Sequence, residues 1–366
     1  MVYAAIKSGQ GSDVIGASLS PYRLAAALLV ASIACHAAAT GSWAPACDET
    51  RKGQYTFEKL GGSAQRPVRI YLCPEIKCAS KSEFAAVPQD SYSAPMPAGL
   101  ARPYFLVERH TESGRTENRV IGARRLALEG AYNFRDLGGM RTTNGKTVQW
   151  GQVFRSDTLT HLTSADYTRV NAMGISLVCD LRTRQERKTD PTEWQDGSPL
   201  FVLAPVSEND KGASQNGSLM DALRSGKTTV EEGRTLFEQF YNRMVFDSAP
   251  KFGAVLRAIE TSDRPSLFHC TGGRDRTGIT AALLLHILGI PKETIISDYV
   301  LSTRYLNEHL TEQARLFTEV TELQPRYIEA VFKAIDQRYG SFDRYRREAL
   351  HFTDADVAAV KIRLLE

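Results

Sequence analysis

Residues 269–278 read HCTGGRDRTG, a pattern that predicts the end of a strand, a tight loop and the start of a buried helix. The run SLF at 266–268 precedes it, and an almost wholly apolar run at 279–288 follows it. From Gly130 onward, strand-like and helix-like segments alternate. This alternation predicts an α/β domain with a central, largely parallel sheet flanked by helices and with the loop at the carboxyl edge of a strand.

The same residues combine a cysteine with the features of an anion-binding loop. Gly272 and Gly273 allow backbone N–H groups to turn inward without a Cβ clash, and the helix start adds unpaired N–H groups. Arg276 follows Cys270 after five residues and offers a planar guanidinium that binds two phosphate oxygens. The positive surroundings favour the thiolate of Cys270, which can attack phosphorus and form a cysteinyl phosphate.

Two other interpretations explain less of this stretch. A buried structural cysteine beside a glycine-rich turn does not account for the arginine spacing, the glycines and the strand–helix context together. A nucleotide-binding P-loop is excluded because its Gly-Lys-Ser/Thr ending is missing from the stretch.

The stretch resembles the active-site loop of the Cys-x5-Arg protein tyrosine phosphatase superfamily, in the bacterial branch whose loop reads HCxxGKDRTG. Further motifs of that branch occur in order within residues 128–366. They are NFRDLGG at 133–139, FRS with a later LT at 154–163, V.DLR with a later Glu at 178–186, SDY at 297–299 and YGS at 339–341. The resemblance implies a tyrosine-phosphatase-like fold and hydrolysis of phosphotyrosine, in some members also of phosphoserine, phosphothreonine or phosphoinositides.

The loop departs from the branch at one place, which keeps two alternatives open. The family usually has Ala-Gly-Lys where this chain has Gly272-Gly273-Arg274. In the family that lysine is linked with reach towards the extra phosphates of inositol rings, and arginine replaces its compact ammonium by a wide, rigid fork. A phosphoinositide or inositol phosphate phosphatase is therefore one alternative. An inactive phosphate-binding pseudophosphatase is another, although the presence of Cys270, Asp275 and Arg276 together argues against it.

Phosphoryl transfer by this route needs a nucleophile, a cradle for the phosphoryl oxygens and a proton donor. Cys270 is the predicted nucleophile, and the cradle is expected from backbone N–H groups of the loop. The predicted phosphate-binding residues are Thr271, Gly272, Gly273, Arg274, Arg276 and Thr277. We expect His269 to orient the loop by hydrogen bonding, and the Thr277 hydroxyl either to donate to the thiolate or to cap the helix.

Three aspartates compete for the role of proton donor. The resemblance favours Asp275, which lies inside the loop motif. Asp180 ends a predicted strand at the same sheet edge, where a salt bridge with Arg182 is the other interpretation. Asp210 lies in a polar segment at 207–217 and is otherwise a solvated charge.

Composition limits the classes of function. The chain has 366 residues, is 42% hydrophobic and carries a net charge of +3, with no basic block interleaved with aromatics. Nucleic-acid binding is therefore not expected, and the predicted partner is a phosphoprotein or phosphoinositide substrate. Residues 163–166 resemble a capping box and predict the start of a helix that ends at Gly174.

The N-terminal third of the sequence lacks the alternation of strand-like and helix-like segments seen from Gly130 onward. Residues 1–39 carry Arg23, an apolar run and an Ala-x-Ala site, and predict a signal peptide with a periplasmic or secreted product. The apolar run is shorter than the ~20 residues that span a bilayer, so no stable membrane anchor is expected. Residues 40–127 cluster β-formers between prolines and glycines, which predicts a small β-sandwich-like accessory domain before the catalytic domain at 128–366.

The cysteines fit an oxidising compartment. Cys47, Cys73 and Cys78 lie between the signal and the catalytic domain, where a disulfide is plausible and three pairings are open. Cys179 lies in an apolar strand and is expected to be a buried free thiol. Zinc is the other interpretation of the first three cysteines, but no histidine stands near in a ligand pattern, so neither metal nor cofactor is predicted.

Overall fold

The computed structural model of the protein describes residues 44–97, 99–206, 229–307 and 322–366. The predicted signal peptide at 1–39 and Asp210 lie outside these residues. The export that the signal implies therefore stays a prediction.

The N-terminal part of the described chain is built from strands. They are β1 (Ala46–Thr50), β2 (Gln54–Glu58), β3 (Val68–Cys73), β4 (Ser82–Val87), β5 (Tyr92–Pro95), β6 (Tyr104–His110) and β7 (Thr116–Gly122). Strands β1, β2 and β5 form one antiparallel sheet, and β4, β3, β6 and β7 form another in that order.

Both sheets contribute alternate residues to one apolar cluster. Tyr55 and Phe57 of β2 are buried against Phe105 of β6, and the ring centroids of Phe57 and Phe105 lie 4.9 Å apart. This alternation is what the period of a strand dictates for a sheet that is buried on one face. The interpretation of the region as a separate domain that ends at residue 127 stays a prediction.

Cys73 is joined to Cys78 by a disulfide at the end of β3. Of the three pairings that the sequence left open, this is the one that the structure contains. Cys47 and Cys179 are buried free thiols, as expected for Cys179.

A third sheet follows and carries the predicted α/β pattern. Its strands are β8 (Arg135–Asp136), β9 (Val153–Ser156), β10 (Leu177–Asp180), β11 (Leu200–Leu203) and β12 (Ser266–His269). Within the described residues the order is β11-β10-β12-β9-β8, parallel except for β8, which runs antiparallel to β9. Every residue of β9, β10 and β12 is buried, as is typical of parallel strands that are covered on both faces.

Helices cover both faces of this sheet. They are α1 (Ser164–Ala172), α2 (Arg184–Thr189), α3 (Val230–Asp247), α4 (Ala249–Thr261), α5 (Asp275–Leu288), α6 (Lys292–Asn307), α7 (Pro325–Tyr339), α8 (Phe342–Glu348) and α9 (Asp354–Leu364). Cys179 and Phe268 point into the cluster that α3 to α7 share, whereas Val178 and Leu267 point into the cluster that contains Tyr167 of α1. The predicted α/β fold, with a largely parallel sheet between helices, is confirmed. Among the described helices, none is both long enough and apolar enough to cross a bilayer.

Candidate active site

The cysteine loop, residues 270–274, connects the middle strand β12 to the helix α5. Cys270 follows the last residue of β12 and is buried, and Asp275 is the first residue of α5. Gly273 has a φ of +63°, and a Cβ there would lie 2.6 Å from the backbone oxygen of Ser156. Only glycine therefore fits at this position. At Gly272 a Cβ would lie 3.5 Å from its nearest neighbour, which is on the Arg274 side chain, so a methyl group would have space.

The carbonyl groups of the cysteine loop are held by the scaffold. Thr158 N–H donates to the Thr271 oxygen at 3.0 Å, and Asn133 Nδ2 donates to the oxygens of Gly272 and Gly273 at 3.2 and 2.9 Å. Arg155 Nη2 also donates to the Gly273 oxygen, at 2.8 Å.

This arrangement sets the direction of the loop N–H groups. In a planar trans peptide the N–H points opposite to the C=O of the preceding residue. The N–H groups of Gly272, Gly273 and Arg274 therefore point away from the scaffold. Within the described chain, the N–H groups of Thr271, Gly272 and Gly273 find no protein acceptor. Donors that converge in this way are suited to binding an anion.

A buried ion cluster anchors Arg155 behind the loop. Asp298 of α6 accepts hydrogen bonds from Arg155 Nη1 at 2.7 Å and from Arg135 Nε at 2.9 Å. Burial opposes the ionisation of Asp298, but the two guanidinium groups outweigh burial and lower the pKa of Asp298 to about 2. Asp298 is therefore charged at neutral pH and keeps both arginines in place.

Glu186 of α2 fixes the orientation of the planar Arg276 guanidinium. Arg276 Nη1 and Nη2 each donate to a Glu186 oxygen at 2.7 Å, and Thr271 Oγ1 donates to the same carboxylate at 2.6 Å. Burial of Glu186 is outweighed by these bonds, which hold its pKa far below the usual range. Glu186 is also the capping-box residue of α2, so its backbone position is fixed by Thr183.

Residues 126–366 match the sequence model described as the Tyrosine phosphatase family. The chain belongs to this family. A protein of Cupriavidus necator named as a tyrosine-protein phosphatase is 32% identical over 253 residues, which cover 66% of this chain and 89% of the relative. A triple specificity protein phosphatase of Mycobacterium tuberculosis is 27% identical and covers 61% and 92%, respectively. A tyrosine-protein phosphatase of Nostoc commune is 30% identical and covers 57% and 73%.

Family membership identifies the chain as a protein-tyrosine phosphatase. The resemblance seen in the sequence is thereby confirmed at the level of the family. Assignment to the branch with the HCxxGKDRTG loop stays a prediction, and so do the individual roles of the site residues.

His269 of this tyrosine phosphatase lies at the base of the cysteine loop. Its Nδ1 is 3.3 Å from the Cys270 oxygen, and its Nε2 is 3.8 Å from Asp180 Oδ2. Burial lowers the pKa of His269 to about 4, so the imidazole is neutral at neutral pH. A neutral buried ring in this position suits the predicted orienting role.

Asp180 lies beside the loop but is engaged by Arg182. Its Oδ1 accepts from the Arg182 backbone N–H at 2.9 Å, and its Oδ2 accepts from Arg182 Nη2 at 2.9 Å. Burial opposes ionisation of Asp180, yet in the acid range, where His269 is protonated, His269 and Arg182 together lower the pKa of Asp180. A buried carboxylate in an ion pair is a poor proton donor, which favours the salt-bridge interpretation of this residue.

Asp275 and Thr277 lie in the first turn of α5, on either side of Arg276 in the sequence. Asp275 Oδ1 accepts a hydrogen bond from the hydroxyl of Tyr241 at 2.5 Å. Thr277 is fully buried, and its Oγ1 has no hydrogen-bond partner within the described ranges. Arg274 is half-buried and immediately precedes α5.

The structure adds site residues to which sequence reasoning gave no role. Asn133, Arg155, Glu186 and Asp298 belong to motifs that marked the resemblance, so a signal for them was present in the sequence. The sequence did not reveal their contacts with the loop, with Arg276 or with one another, because the bonded residues lie 90 or more positions apart. Tyr241 had no sequence signal.

Proposed function

We propose that the chain hydrolyses phosphotyrosine in proteins through a cysteinyl-phosphate intermediate at Cys270. One observation supports this proposal above all. Thr158, Asn133 and Arg155 donate hydrogen bonds to three successive carbonyl oxygens of the cysteine loop. The loop N–H groups are therefore left to bind an anion beside the thiol. A structural cysteine would not need such a loop.

Binding of the phosphoryl group rests on the loop and on Arg276. The N–H groups of the cysteine loop and the guanidinium share the three non-bridging oxygens, whose charge grows as the transition state forms. Glu186, itself bound by the Thr271 hydroxyl, fixes the orientation of the guanidinium before substrate arrives, so little side-chain freedom is lost on binding.

The chemistry then proceeds in two steps. The Cys270 thiolate forms the S–P bond while the bond from phosphorus to the tyrosine oxygen breaks, and Asp275 gives its proton to the leaving oxygen. In the second step Asp275 takes a proton from water as the water oxygen attacks phosphorus. The S–P bond breaks, and phosphate and the thiolate are released.

Asp275 is the proposed proton donor because it stands at the start of α5 without an arginine partner among the described residues. Asp275→Asn should reduce kcat/KM by about 10²-fold or more with phosphotyrosine, whose leaving group needs protonation. It should change kcat/KM little with dinitrophenyl phosphate, whose phenolate leaves without help. Asp180→Asn and Asp210→Asn are the comparison variants. We call a large loss with phosphotyrosine and little loss with dinitrophenyl phosphate the leaving-group signature. This signature in either comparison variant would contradict the assignment of Asp275.

The breadth of the activity is tested with a panel of substrates. A phosphotyrosine peptide, a phosphoserine peptide and a phosphoinositide are assayed side by side with the wild type and with Cys270→Ser. We expect phosphotyrosine hydrolysis that is lost in Cys270→Ser, and weaker activity on phosphoserine, which some members of the resembling branch also hydrolyse. Faster hydrolysis of the phosphoinositide would favour the lipid alternative, and a wild type inactive on all three would favour a pseudophosphatase.

A further inference from the structure

A chain of two buried tyrosine hydroxyls ends on the carboxyl group of Asp275. Tyr241 of α3 donates to Asp275 Oδ1 at 2.5 Å, and the hydroxyls of Tyr241 and Tyr299 lie 2.6 Å apart. Both tyrosines are almost completely buried. A hydroxyl carries one proton, and that of Tyr241 points to Asp275. Tyr299 is therefore the donor to Tyr241, and the chain runs from Tyr299 through Tyr241 to Asp275.

Both tyrosines carry their protons at neutral pH, because the pKa of each is raised above its usual value. Burial raises the pKa of Tyr241 well above its usual value, and the neighbouring Asp275 charge raises it further. Burial likewise raises the pKa of Tyr299. Tyr241 is therefore a permanent hydrogen-bond donor to Asp275 and not a second acid.

The ring of Tyr241 is fixed by its neighbours. Its centroid lies 5.6 Å from that of Tyr327 and 6.1 Å from that of Tyr299. Because Tyr299 donates to Tyr241, Asp275 is the acceptor for the one proton of the Tyr241 hydroxyl. What the bond does is hold the carboxyl group in one orientation.

We propose that Tyr241 is a positioning residue that binds Oδ1 of Asp275 and leaves Oδ2 to deliver and recover the catalytic proton. The inference rests on the proposed function, in which Asp275 is the proton donor. Within the described part of the chain, Oδ2 has no hydrogen-bond partner. The proton leaves Oδ2 for the phenolic oxygen of the substrate phosphotyrosine as the S–P bond forms and the P–O bond breaks. Oδ2 then takes a proton from the attacking water as the S–P bond breaks, and Tyr241 keeps its own proton throughout.

The test compares Tyr241→Phe with Tyr345→Phe. Both variants remove one hydroxyl from a buried ring, but the hydroxyl of Tyr345 donates to the Val245 oxygen at 2.8 Å and contacts none of the site residues. For each variant, kcat/KM is measured with a phosphotyrosine peptide and with dinitrophenyl phosphate, together with the inhibition constant of inorganic phosphate.

We expect Tyr241→Phe to lower kcat/KM about tenfold with phosphotyrosine. This loss is smaller than that expected for Asp275→Asn, because the acid is still present and only its orientation is lost. Its kcat/KM with dinitrophenyl phosphate and its phosphate inhibition constant should stay within about twofold of the wild type, because the cysteine loop is intact. Tyr345→Phe should change none of the three values. An equal loss with both substrates, or no loss with phosphotyrosine, would overturn the inference.

The double variant separates this inference from the proposed function. On the Asp275→Asn background, Tyr241→Phe should have no further effect, because the two residues act as one unit. If Asp275→Asn itself lacks the leaving-group signature, the proposed function loses its acid. If Asp275→Asn shows it and Tyr241→Phe does not, only the positioning role is wrong. Should Tyr241→Phe fail to fold, Tyr299→Phe must show the same signature in weaker form, and its absence would overturn the inference.

Discussion

The planarity of Arg276, as much as its charge, determines what the cysteine loop can bind. Two of its nitrogens are bound by Glu186, so the guanidinium plane is set by a carboxylate on a different helix. A planar group that is held in this way presents its remaining edge to the phosphoryl oxygens with a defined geometry. A lysine would keep the charge, but its ammonium is a point charge that cannot make a two-point contact.

Arg276→Lys should therefore lower kcat/KM with a phosphotyrosine peptide by about 10²-fold or more. The measurement is steady-state kinetics, with Arg344→Lys as the control because Arg344 pairs with Glu348 at an exposed site on α8. A loss of less than tenfold in Arg276→Lys would contradict the role given to the guanidinium plane.

At the scale of elements, helix α6 supports the active site through two consecutive residues. Asp298 holds Arg155 and Arg135 behind the cysteine loop, and Tyr299 holds Tyr241 against Asp275. The SDY motif therefore places a carboxylate and a hydroxyl on neighbouring positions of one helix, each directed at a different part of the site.

Asp298→Asn should destabilise the fold, because it leaves two buried guanidinium groups without a counter-charge. We expect the free energy of unfolding to fall by about 3–5 kcal/mol in urea titrations. Any folded Asp298→Asn protein should lose kcat/KM equally with all leaving groups, since what is lost is loop geometry. The control is Asp343→Asn, whose carboxylate is largely exposed. An Asp298→Asn variant with unchanged stability would contradict the cluster's role.

The sequence predicted those elements whose signals are local. The strand–loop–helix around Cys270 was readable because its glycines, its arginine and its apolar flanks lie within one short stretch. The capping box at Thr163 likewise marks the start of α1, as predicted. The bond between Glu186 and Arg276 spans 90 positions and depends on how α2 packs against the loop, which no local pattern encodes.

At the scale of the whole molecule, the N-terminal strands are joined to the α/β region by partly buried polar contacts. Glu49 of β1 accepts from Arg169 of α1 at 2.6 Å, and Asp48 accepts from the hydroxyl of Tyr305 of α6 at 3.0 Å. Arg102, which precedes β6, pairs with the fully buried Asp136. The bond between Asp48 and Tyr305 couples the β-rich region to α6, the helix that supports the active site, and the other two contacts couple it to α1 and β8.

We predict that the β-rich and α/β regions unfold in one transition. Glu49→Gln should lower the free energy of unfolding by about 1–3 kcal/mol, because it leaves Arg169 partly buried and unpaired. The control is Glu348→Gln, which removes the exposed ion pair with Arg344. It should lower the free energy of unfolding by less than about 1 kcal/mol. Two well-separated transitions in urea, followed by tryptophan fluorescence and by circular dichroism, would contradict this coupling.

The central claim is that Cys270 carries the phosphoryl group during turnover. The most direct measurement is intact-protein mass spectrometry after rapid acid quench of the enzyme with excess dinitrophenyl phosphate, followed by peptide mapping. We predict one added phosphoryl group on the peptide that contains Cys270, accumulating further in Asp275→Asn, whose second step lacks its base, and missing in Cys270→Ser. Turnover by the wild type with no phosphorylated Cys270, or undiminished turnover by Cys270→Ser, would contradict the account.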